Sequence, residues 1–121
     1  MTTSVRQMTP VEHARFYYEN VWMQHKVELI PQLCANPVLR HDFSRDFTIS
    51  HEEQRERILA HEGKGFVFRI LNIHGDHEYA TIIWEITSPT YNMAGIEVMH
   101  IPDGKIVEVW NGKRDGIMWP K

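Results

Sequence analysis

The stretch "MHIPDGKIVEVWNGKRD", residues 99–115, contains the hairpin that decides the fold of this chain. Pro102, Asp103 and Gly104 form a turn signal in which the glycine can take a positive φ. The segments on either side, "AGIEVMHI" (94–101) and "KIVEVWN" (105–111), are rich in β-branched and other apolar residues. Such runs on either side of a turn signal are typical of β-strands. The stretch therefore predicts a pair of antiparallel strands joined by a tight turn.

Another hairpin comes before it in the chain. "FVFRILNI" (66–73) and "EYATIIWEIT" (78–87) are rich in aromatic and β-branched residues. The residues between them, "HGDH" (74–77), have the composition of a hairpin turn. The second half of the chain is thus predicted to contain four strands that are joined largely by hairpins.

The N-terminal part begins with a signal for a helix. Thr9 can cap the helix, Pro10 suits its first turn, and Glu12 can reach back to the cap. Hydrophobic residues then follow helical spacing, and Tyr18 lies on the same stripe. We therefore predict a helix from Pro10 to about Asn20, with one face towards the core.

Two further helices and one short strand are predicted between this helix and the hairpins. Hydrophobic spacing predicts a helix over 24–34, which Pro31 should kink or shorten. "PVLRHDF" (37–43) starts as a buried strand and ends in three ionisable residues. "SHEE" (50–53) repeats the capping signal, and Gly63 is placed to end the third helix. This order predicts an α+β fold with an antiparallel sheet.

Composition limits the function classes. The chain has 121 residues, which suits a single domain spanning 1–121. Its net charge is −3 and its 13 Lys and Arg residues are scattered, so a nucleic-acid partner is not expected. Cys34 is the one cysteine, and neither a signal peptide nor a membrane-spanning stretch is evident. We therefore expect a cytoplasmic protein without a membrane partner.

The order of elements and the closing hairpin together resemble the nuclear transport factor 2-like superfamily, which includes ketosteroid isomerases, SnoaL-type polyketide cyclases and scytalone dehydratases. The resemblance covers nearly the whole chain. It implies a cone in which a curved, antiparallel or mixed sheet wraps around the N-terminal helices and encloses an apolar pocket. It also implies a homodimer formed through the convex side of the sheet, near Ile96, Val98 and His100. The same cone serves enzymes, carriers and dimerisation modules, so the fold does not fix a reaction.

The resemblance to ketosteroid isomerases also implies candidate catalytic residues. Their oxyanion-hole tyrosine is matched by Tyr18, with Tyr17 as the alternative. Their general base is matched by Asp42, which follows Tyr18 by the expected interval, whereas His41 stands at that interval from Tyr17. Their second oxyanion-hole acid is matched by Glu97, which is a longer side chain than the family's aspartate.

The residues themselves support this chemistry and leave alternatives. Alternation places Glu97 on an apolar face, where a carboxyl group either finds a partner or has its pKa raised by desolvation. A protonated Glu97 beside the Tyr18 hydroxyl could polarise a substrate carbonyl while Asp42 or His41 moves a proton. Alternatively, Glu97 lies at a dimer interface or pairs with an arginine such as Arg69 across the sheet.

"RHD" (40–42) has alternatives of its own. Arg40 could form a strand-end ion pair with Asp42 or Asp46, which makes it the structural member of the three. Alternation also predicts that only one of His41 and Asp42 faces the pocket.

The walls of the pocket and its cofactors can also be predicted. The eight histidines lack paired spacing, and there is no HExxH motif, so neither a metal nor a cofactor is expected. Aromatic and apolar side chains are the usual lining of a ligand pocket. The predicted substrate-binding residues are Tyr17, Phe68, Trp84, Met99 and Trp110.

The function expected from these features is cofactor-free acid-base chemistry of the isomerase or lyase type. An isomerisation, dehydration or cyclisation of a small apolar carbonyl compound would fit. The sequence leaves open whether the chain is an enzyme. The alternative is a non-catalytic module of the same fold that binds a hydrophobic ligand or dimerises.

Overall fold

The computed structural model describes residues 8–42 and 45–116. Within these ranges the chain forms a six-stranded sheet with helices packed on one face. We call the face covered by helices the inner face and the opposite one the outer face. The elements in chain order are α1 (Pro10–Tyr17), α2 (Ile30–Leu33), β1 (Cys34–Asp42), β2 (Arg45–Ile49), α3 (His51–Leu59), β3 (Val67–Gly75), β4 (Tyr79–Thr87), β5 (Asn92–His100) and β6 (Ile106–Asp115).

The sheet is mixed, with strand order β2-β1-β6-β5-β4-β3. The β3/β4 and β5/β6 pairs are antiparallel hairpins, as the sequence predicts, and Gly104 takes a φ of 72° in the turn of the second. Strand β1 runs parallel to β6, so the two halves of the chain join at the centre of the sheet. This architecture is the predicted α+β, cone-like fold.

The region between α1 and α3 differs from the sequence prediction. The predicted helix over 24–34 is reduced to a 3₁₀ turn at Val27–Leu29 and the four-residue α2. Pro31 lies in the first turn of α2, where its missing N–H costs nothing, so it shortens the helix without kinking it. Strand β1 therefore begins at Cys34, earlier than the predicted start at Pro37, and the Asn36–Pro37 peptide bond is cis.

Strand β2 is absent from the sequence prediction. It is a five-residue edge strand that pairs antiparallel with β1. Its sequence, "RDFTI", has two charged residues and little alternation, which is typical of a protected edge. Strand β2 is stabilised by its pairing with β1, which the local sequence does not predict.

Helix α1 begins as predicted, with a complete capping box between Thr9 and Glu12. It ends as an α-helix at Tyr17, where the winding widens into a π-helical turn at Tyr18–Trp22. The amide of Met23 donates to the carbonyl oxygen of Tyr18 at 2.9 Å and closes this turn. Both Tyr17 and Tyr18 are buried as a result, although consecutive residues of a helix normally point 100° apart.

Helix α3 also has the predicted capping box, between Ser50 and Glu53. It turns Gln54 and Ile58 inwards and leaves most of its charged residues exposed. The core lies between the helices and the inner face of the sheet, where alternate residues of β4 and β5 are buried. Among the described residues, no helix has the length and apolar character needed to cross a membrane.

Candidate functional site

Three polar side chains from distant parts of the chain meet on the inner face of the sheet. The Tyr18 hydroxyl donates a hydrogen bond to Oε1 of Glu97, and Nη2 of Arg40 donates to Oε2 of the same carboxylate at 3.1 Å. Tyr18 is 2% exposed and Glu97 is 7% exposed. Glu97 thus receives one donor on each oxygen inside the protein.

Arg40 connects this cluster to Asp42. Its Nη2 also lies 3.3 Å from Oδ1 of Asp42, and both side chains are nearly buried. Burial by itself lowers the pKa of Arg40, but the carboxylates of Glu97 and Asp42 outweigh it and raise the pKa above its usual value. Arg40 is therefore a permanent cation that lies between the side chains of Glu97 and Asp42.

The pKa of Tyr18 lies well above its usual value. Burial is the main cause, and the negative charge of Glu97 together with the hydrogen bond between them adds to it. Tyr18 therefore remains a neutral hydroxyl that donates its proton in a hydrogen bond.

Sheet register brings these groups together. Glu97 on β5 faces Asn111 on β6 as a direct cross-strand partner, and Asn111 in turn aligns with Asp42 on β1. Arg40 lies two residues before Asp42, so the two side chains share the inner face. The parallel pairing of β1 with β6 therefore places Arg40 beside Glu97, although 57 residues separate them in sequence.

The cluster forms part of the wall of a cavity of about 90 Å³. Tyr18 and Glu97 lie at its buried end, and Arg57, His61 and Lys113 are more exposed. The lining side chains fall into an aromatic and apolar group, Tyr18, Trp22, Phe68, Trp84, Ile86 and Met93, and a polar group, Arg40, Arg57, His61, Glu97, Asn111 and Lys113.

A second cavity of about 230 Å³ lies next to the first. The two share Trp22, His61, Phe68 and Ile86 as lining residues. The rings of Trp22 and His61 meet edge to face with centroids 5.4 Å apart. An aromatic contact therefore lies in the wall that the two cavities share.

Two residues that line the first cavity each have a polar atom without a partner among the described residues. Nε of Arg40 and Oδ1 of Asn111 are both buried without a hydrogen bond. One is a donor and the other an acceptor, and both residues line the cavity. Because buried polar atoms are nearly always hydrogen-bonded in folded proteins, this pair favours a polar ligand.

His41 lies on the other side of the sheet from this cavity. Its Nδ1 is 2.7 Å from Asp46 and its Nε2 is 2.6 Å from Glu108, and its ring stacks on Trp110. The hydrogen bond to Glu108, followed by the one to Asp46, raises the pKa of His41 above its usual value. The structure thus places His41 in an ion-pair network between strands, because alternation turns it away from Arg40 and Asp42.

Asp42 faces the inner side but does not line the cavity. It lies beyond Arg40 and lines a surface groove with Arg45, Phe47 and Arg57. The carboxylate that reaches the cavity is Glu97. Arg40, expected from the sequence to be the structural member of "RHD", is the member that enters the cavity wall.

The five predicted substrate-binding residues separate into two groups. Phe68 and Trp84 line the cavity, with their rings stacked 5.9 Å apart. Trp110 is on the outer face and 37% exposed, and Met99 is buried in the core. Neither of these lines the cavity.

Tyr17, the fifth of these residues, also lies outside the cavity, and its hydroxyl is hydrogen-bonded to two other side chains. Its hydroxyl donates to Gln54 at 3.0 Å and accepts from Trp22 at 3.1 Å. Gln54 also accepts from the buried Cys34 thiol, whose pKa is raised to about 12 by burial. Tyr17 therefore belongs to a second polar cluster that holds α1 against α3.

The alternative partner proposed for Glu97 is engaged elsewhere. Arg69 pairs with Glu85, with its Nε 3.1 Å from the carboxylate.

Asn111 and Lys113 line the cavity but were not predicted from the sequence. Their positions in the sequence could have indicated this role. Asn111 and Lys113 follow the buried Val109 at every second position of β6, so they lie on the same face of the strand.

Metal ligation finds no support in the described ranges. No group of three His, Cys, Asp or Glu side chains within residues 8–42 and 45–116 has the geometry to hold a metal ion. The chemistry available at the cavity is that of a carboxylate, a neutral tyrosine hydroxyl and a guanidinium cation.

Comparison with known proteins places the fold. No protein-family model matches the chain, and no curated protein matches it in sequence. Solved structures do match it. A nuclear transport factor 2-like protein of unknown function from Burkholderia xenovorans superposes with a TM-score of 0.73 at 13% identity, over 97% of this chain and 91% of that protein.

Two other structural neighbours have a suggested activity. A protein from Kribbella flavida proposed to be a ketosteroid isomerase has a TM-score of 0.72 at 16% identity, over 93% of this chain and 82% of that protein. IdmH from Streptomyces antibioticus, proposed to be a polyketide cyclase, has a TM-score of 0.69 at 14% identity, over 88% of this chain and 92% of that protein. At such identities the likeness establishes the nuclear transport factor 2-like fold.

Proposed function

We propose that this chain, which has the nuclear transport factor 2-like fold, is an enzyme that moves a proton on a small carbonyl compound without a cofactor. The observation that carries the proposal is the convergence of Tyr18 and Arg40 on the Glu97 carboxylate in the wall of a buried cavity. Removing a carboxylate and a guanidinium from water costs free energy that their pairing offsets only in part. Such buried charged groups in the wall of a cavity are typical of functional sites.

The roles differ from those expected from the sequence. Glu97 is the proposed base, because it is the carboxyl group that lines the cavity and the Arg40 guanidinium lies 3.1 Å from it. It takes a proton from the carbon next to the substrate carbonyl, and the electron pair of that bond moves onto the carbonyl oxygen. Asp42 is a positioning residue that acts through Arg40.

The Tyr18 hydroxyl stabilises the oxygen that becomes negative. As Glu97 gains the substrate proton it loses its charge and holds the Tyr18 proton less strongly, so this hydrogen bond can turn to the substrate oxyanion. Nε of Arg40 is a second donor for that oxygen. Return of the proton to another carbon completes an isomerisation, and its transfer to a departing hydroxyl completes a dehydration.

A ligand-binding module is the second candidate. Each oxygen of Glu97 already accepts one hydrogen bond within the protein. In this alternative the cluster takes no part in proton transfer and only determines which ligand binds. Both candidates have the same fold and cavity, and they differ in whether a bound compound is converted.

The two are separated by a screen of small carbonyl and hydroxyl compounds. Binding is detected by thermal shift, and mass spectrometry or NMR then shows whether the bound compound changes. We expect conversion by the native chain, a loss of about a hundredfold or more in Tyr18→Phe and a larger loss in Glu97→Gln. Ligands that bind and are recovered unchanged would favour the binding module.

Tyr17→Phe is the matched control, because Tyr17 is equally buried and hydrogen-bonded but does not line the cavity. It should retain turnover. His41→Asn should also retain turnover, since His41 faces the outer side of the sheet. Equal losses in Tyr17→Phe and Tyr18→Phe would contradict the assignment of Tyr18.

A further inference from the structure

The cavity has a positively charged outer part in a chain of net negative charge. The formal charge of the whole sequence is −3. Yet Arg40, Arg57, His61 and Lys113 line the cavity, and Glu97 is the one acidic side chain among its lining residues. The charge of the cavity wall is thus opposite to that of the molecule.

Within residues 8–42 and 45–116, Arg57 and Lys113 lack the carboxylate partners that Arg40 has. Arg40 is paired with Glu97 and Asp42 at 3.1 and 3.3 Å. Among the residues that the structure describes, no carboxylate lies within 4 Å of the side-chain nitrogens of Arg57 or Lys113, since neither takes part in an ion pair. Two partly buried, uncompensated cations at one cavity attract an anionic group.

The position of these cations relative to Glu97 defines the shape of a ligand. Lys113 lies two residues beyond Asn111 on β6, and Asn111 is the cross-strand partner of Glu97. Two residues along a strand correspond to roughly 7 Å. A carboxylate held near Lys113 and Arg57 therefore lies a few carbon atoms from a carbonyl held near Arg40 and Glu97.

The size of the cavity limits the ligand to a small one. Its volume of about 90 Å³ is below the roughly 300 Å³ at which pockets for drug-sized ligands begin. Arg40 and Asn111 both line this cavity, and each has a buried polar atom without a hydrogen-bond partner among the described residues.

We propose that the substrate class of this site is a short-chain oxo carboxylate. Its carboxylate binds Arg57 and Lys113 at the outer part of the cavity, and its carbonyl oxygen lies at the buried end, beside the donors of Tyr18 and Arg40. This inference rests on the proposed function for its reacting end, whereas the carboxylate contact concerns binding alone.

The test compares acids with their neutral esters. Binding of 2-oxobutanoate and 4-oxopentanoate, each beside its methyl ester, is measured by NMR titration of the native chain. At least one acid should bind about tenfold more tightly than its ester, and added salt should weaken the acid alone. Acids that all bind no better than their esters would overturn the proposal.

Variants identify the cations responsible. Arg57→Gln and Lys113→Gln should each weaken binding of the acid about tenfold and leave binding of the ester unchanged. Arg55→Gln is the matched control, because Arg55 is on the same helix but lines a separate groove. Acid binding that survives both Arg57→Gln and Lys113→Gln, in variants with native thermal unfolding, would assign the carboxylate to another place and reject the proposal.

The outcome is independent of turnover. Glu97→Gln removes the proposed base and one negative charge, so it should abolish conversion and retain or strengthen binding of the acid. Tight binding without conversion by the native chain would reject the proposed function and leave the anion site standing. Conversion of an ester as fast as its acid would support the proposed function and reject the anion site.

Discussion

At the scale of single residues, Arg40 has the largest energetic role in the site. It is a buried cation between two carboxylates, and each of these has been removed from water on folding. A buried ion pair contributes little more to stability than apolar side chains of similar volume would. Removal of one partner, however, leaves the other charge buried and unpaired, which is strongly destabilising. Arg40 is thus a structural requirement as well as a part of the cavity wall.

Arg40→Met should therefore lower the free energy of unfolding by about 3–5 kcal/mol. The measurement is urea denaturation followed by circular dichroism. Arg15→Met is the control, because the Arg15–Glu19 pair is on the surface and should contribute under about 0.5 kcal/mol. Similar losses in the two variants would show that Glu97 and Asp42 are stable without the guanidinium.

At the scale of elements, the close packing of β5 on β4 and β6 requires a residue without a side chain. A Cβ atom at Gly95 would lie 2.4 Å from Cζ2 of Trp84 and 2.6 Å from the carbonyl oxygen of Gly112. One contact is with the indole that lines the cavity and the other is with backbone. Neither can move without disturbing the sheet.

Gly95→Ala should consequently destabilise the protein by about 1–3 kcal/mol and alter ligand binding through Trp84. Thermal unfolding and Trp fluorescence measure the two effects. Gly112→Ala is a matched control in the neighbouring strand, since a Cβ there meets no atom within 4 Å. If Gly95→Ala were as stable as Gly112→Ala, the packing described for Trp84 would be wrong.

His41 joins three strands of the sheet from its outer face. It lies on β1 and contacts Asp46 of β2 and Glu108 of β6. Its pKa in the folded state is raised above the usual value of 6.5, first by the hydrogen bond to Glu108 and then by that to Asp46. The protonated ring is thus favoured by folding.

The sign of the pH effect follows from this direction. A raised folded-state pKa contributes stability that is complete below about pH 6.5 and is lost as the pH rises through the raised pKa. The stability difference between the native chain and His41→Asn should therefore be larger at pH 5.5 than at pH 9. His74→Asn, which removes a ring bonded to the Asn72 amide, should show no such trend. A difference that grew with pH would contradict the network.

At the scale of the whole molecule, the outer face of the sheet exposes several large apolar side chains. The Tyr79 ring stacks on His100 and the Trp110 ring on His41, and these residues lie on adjoining strands. An exposed apolar patch of this kind marks an interaction surface. Its most exposed members are Leu39, Tyr79, Ile96 and Trp110, each more than a third exposed.

We propose that a second copy of the chain covers this face around a twofold axis, as the resemblance to the superfamily implies. Sedimentation at micromolar concentration should give a dimer, and Ile96→Lys should shift it towards monomer. Leu59→Lys is the control, because Leu59 is a similarly exposed apolar residue on α3. A monomeric native chain would reject the dimer without bearing on the cavity.

The sequence by itself determined the elements with strong local signals. The capping boxes at Thr9 and Ser50 and the turn glycine at Gly104 are where they were predicted, because their hydrogen bonds and backbone angles involve residues only a few positions apart. Alternation also placed Glu97 on a buried face, and placed His41 opposite to Arg40 and Asp42. These outcomes need no knowledge of distant contacts.

Only the tertiary structure decided which of these groups meet. Strand β2 forms by pairing with β1, and Arg40 meets Glu97 because β1 runs parallel to β6 in one particular register. Register and strand order are set by the summed packing of the core, which no short stretch encodes. The sequence therefore supplied the candidate acids and bases, and the pairing of β1 with β6 selected Glu97, Arg40 and Tyr18 as the group that shares a cavity.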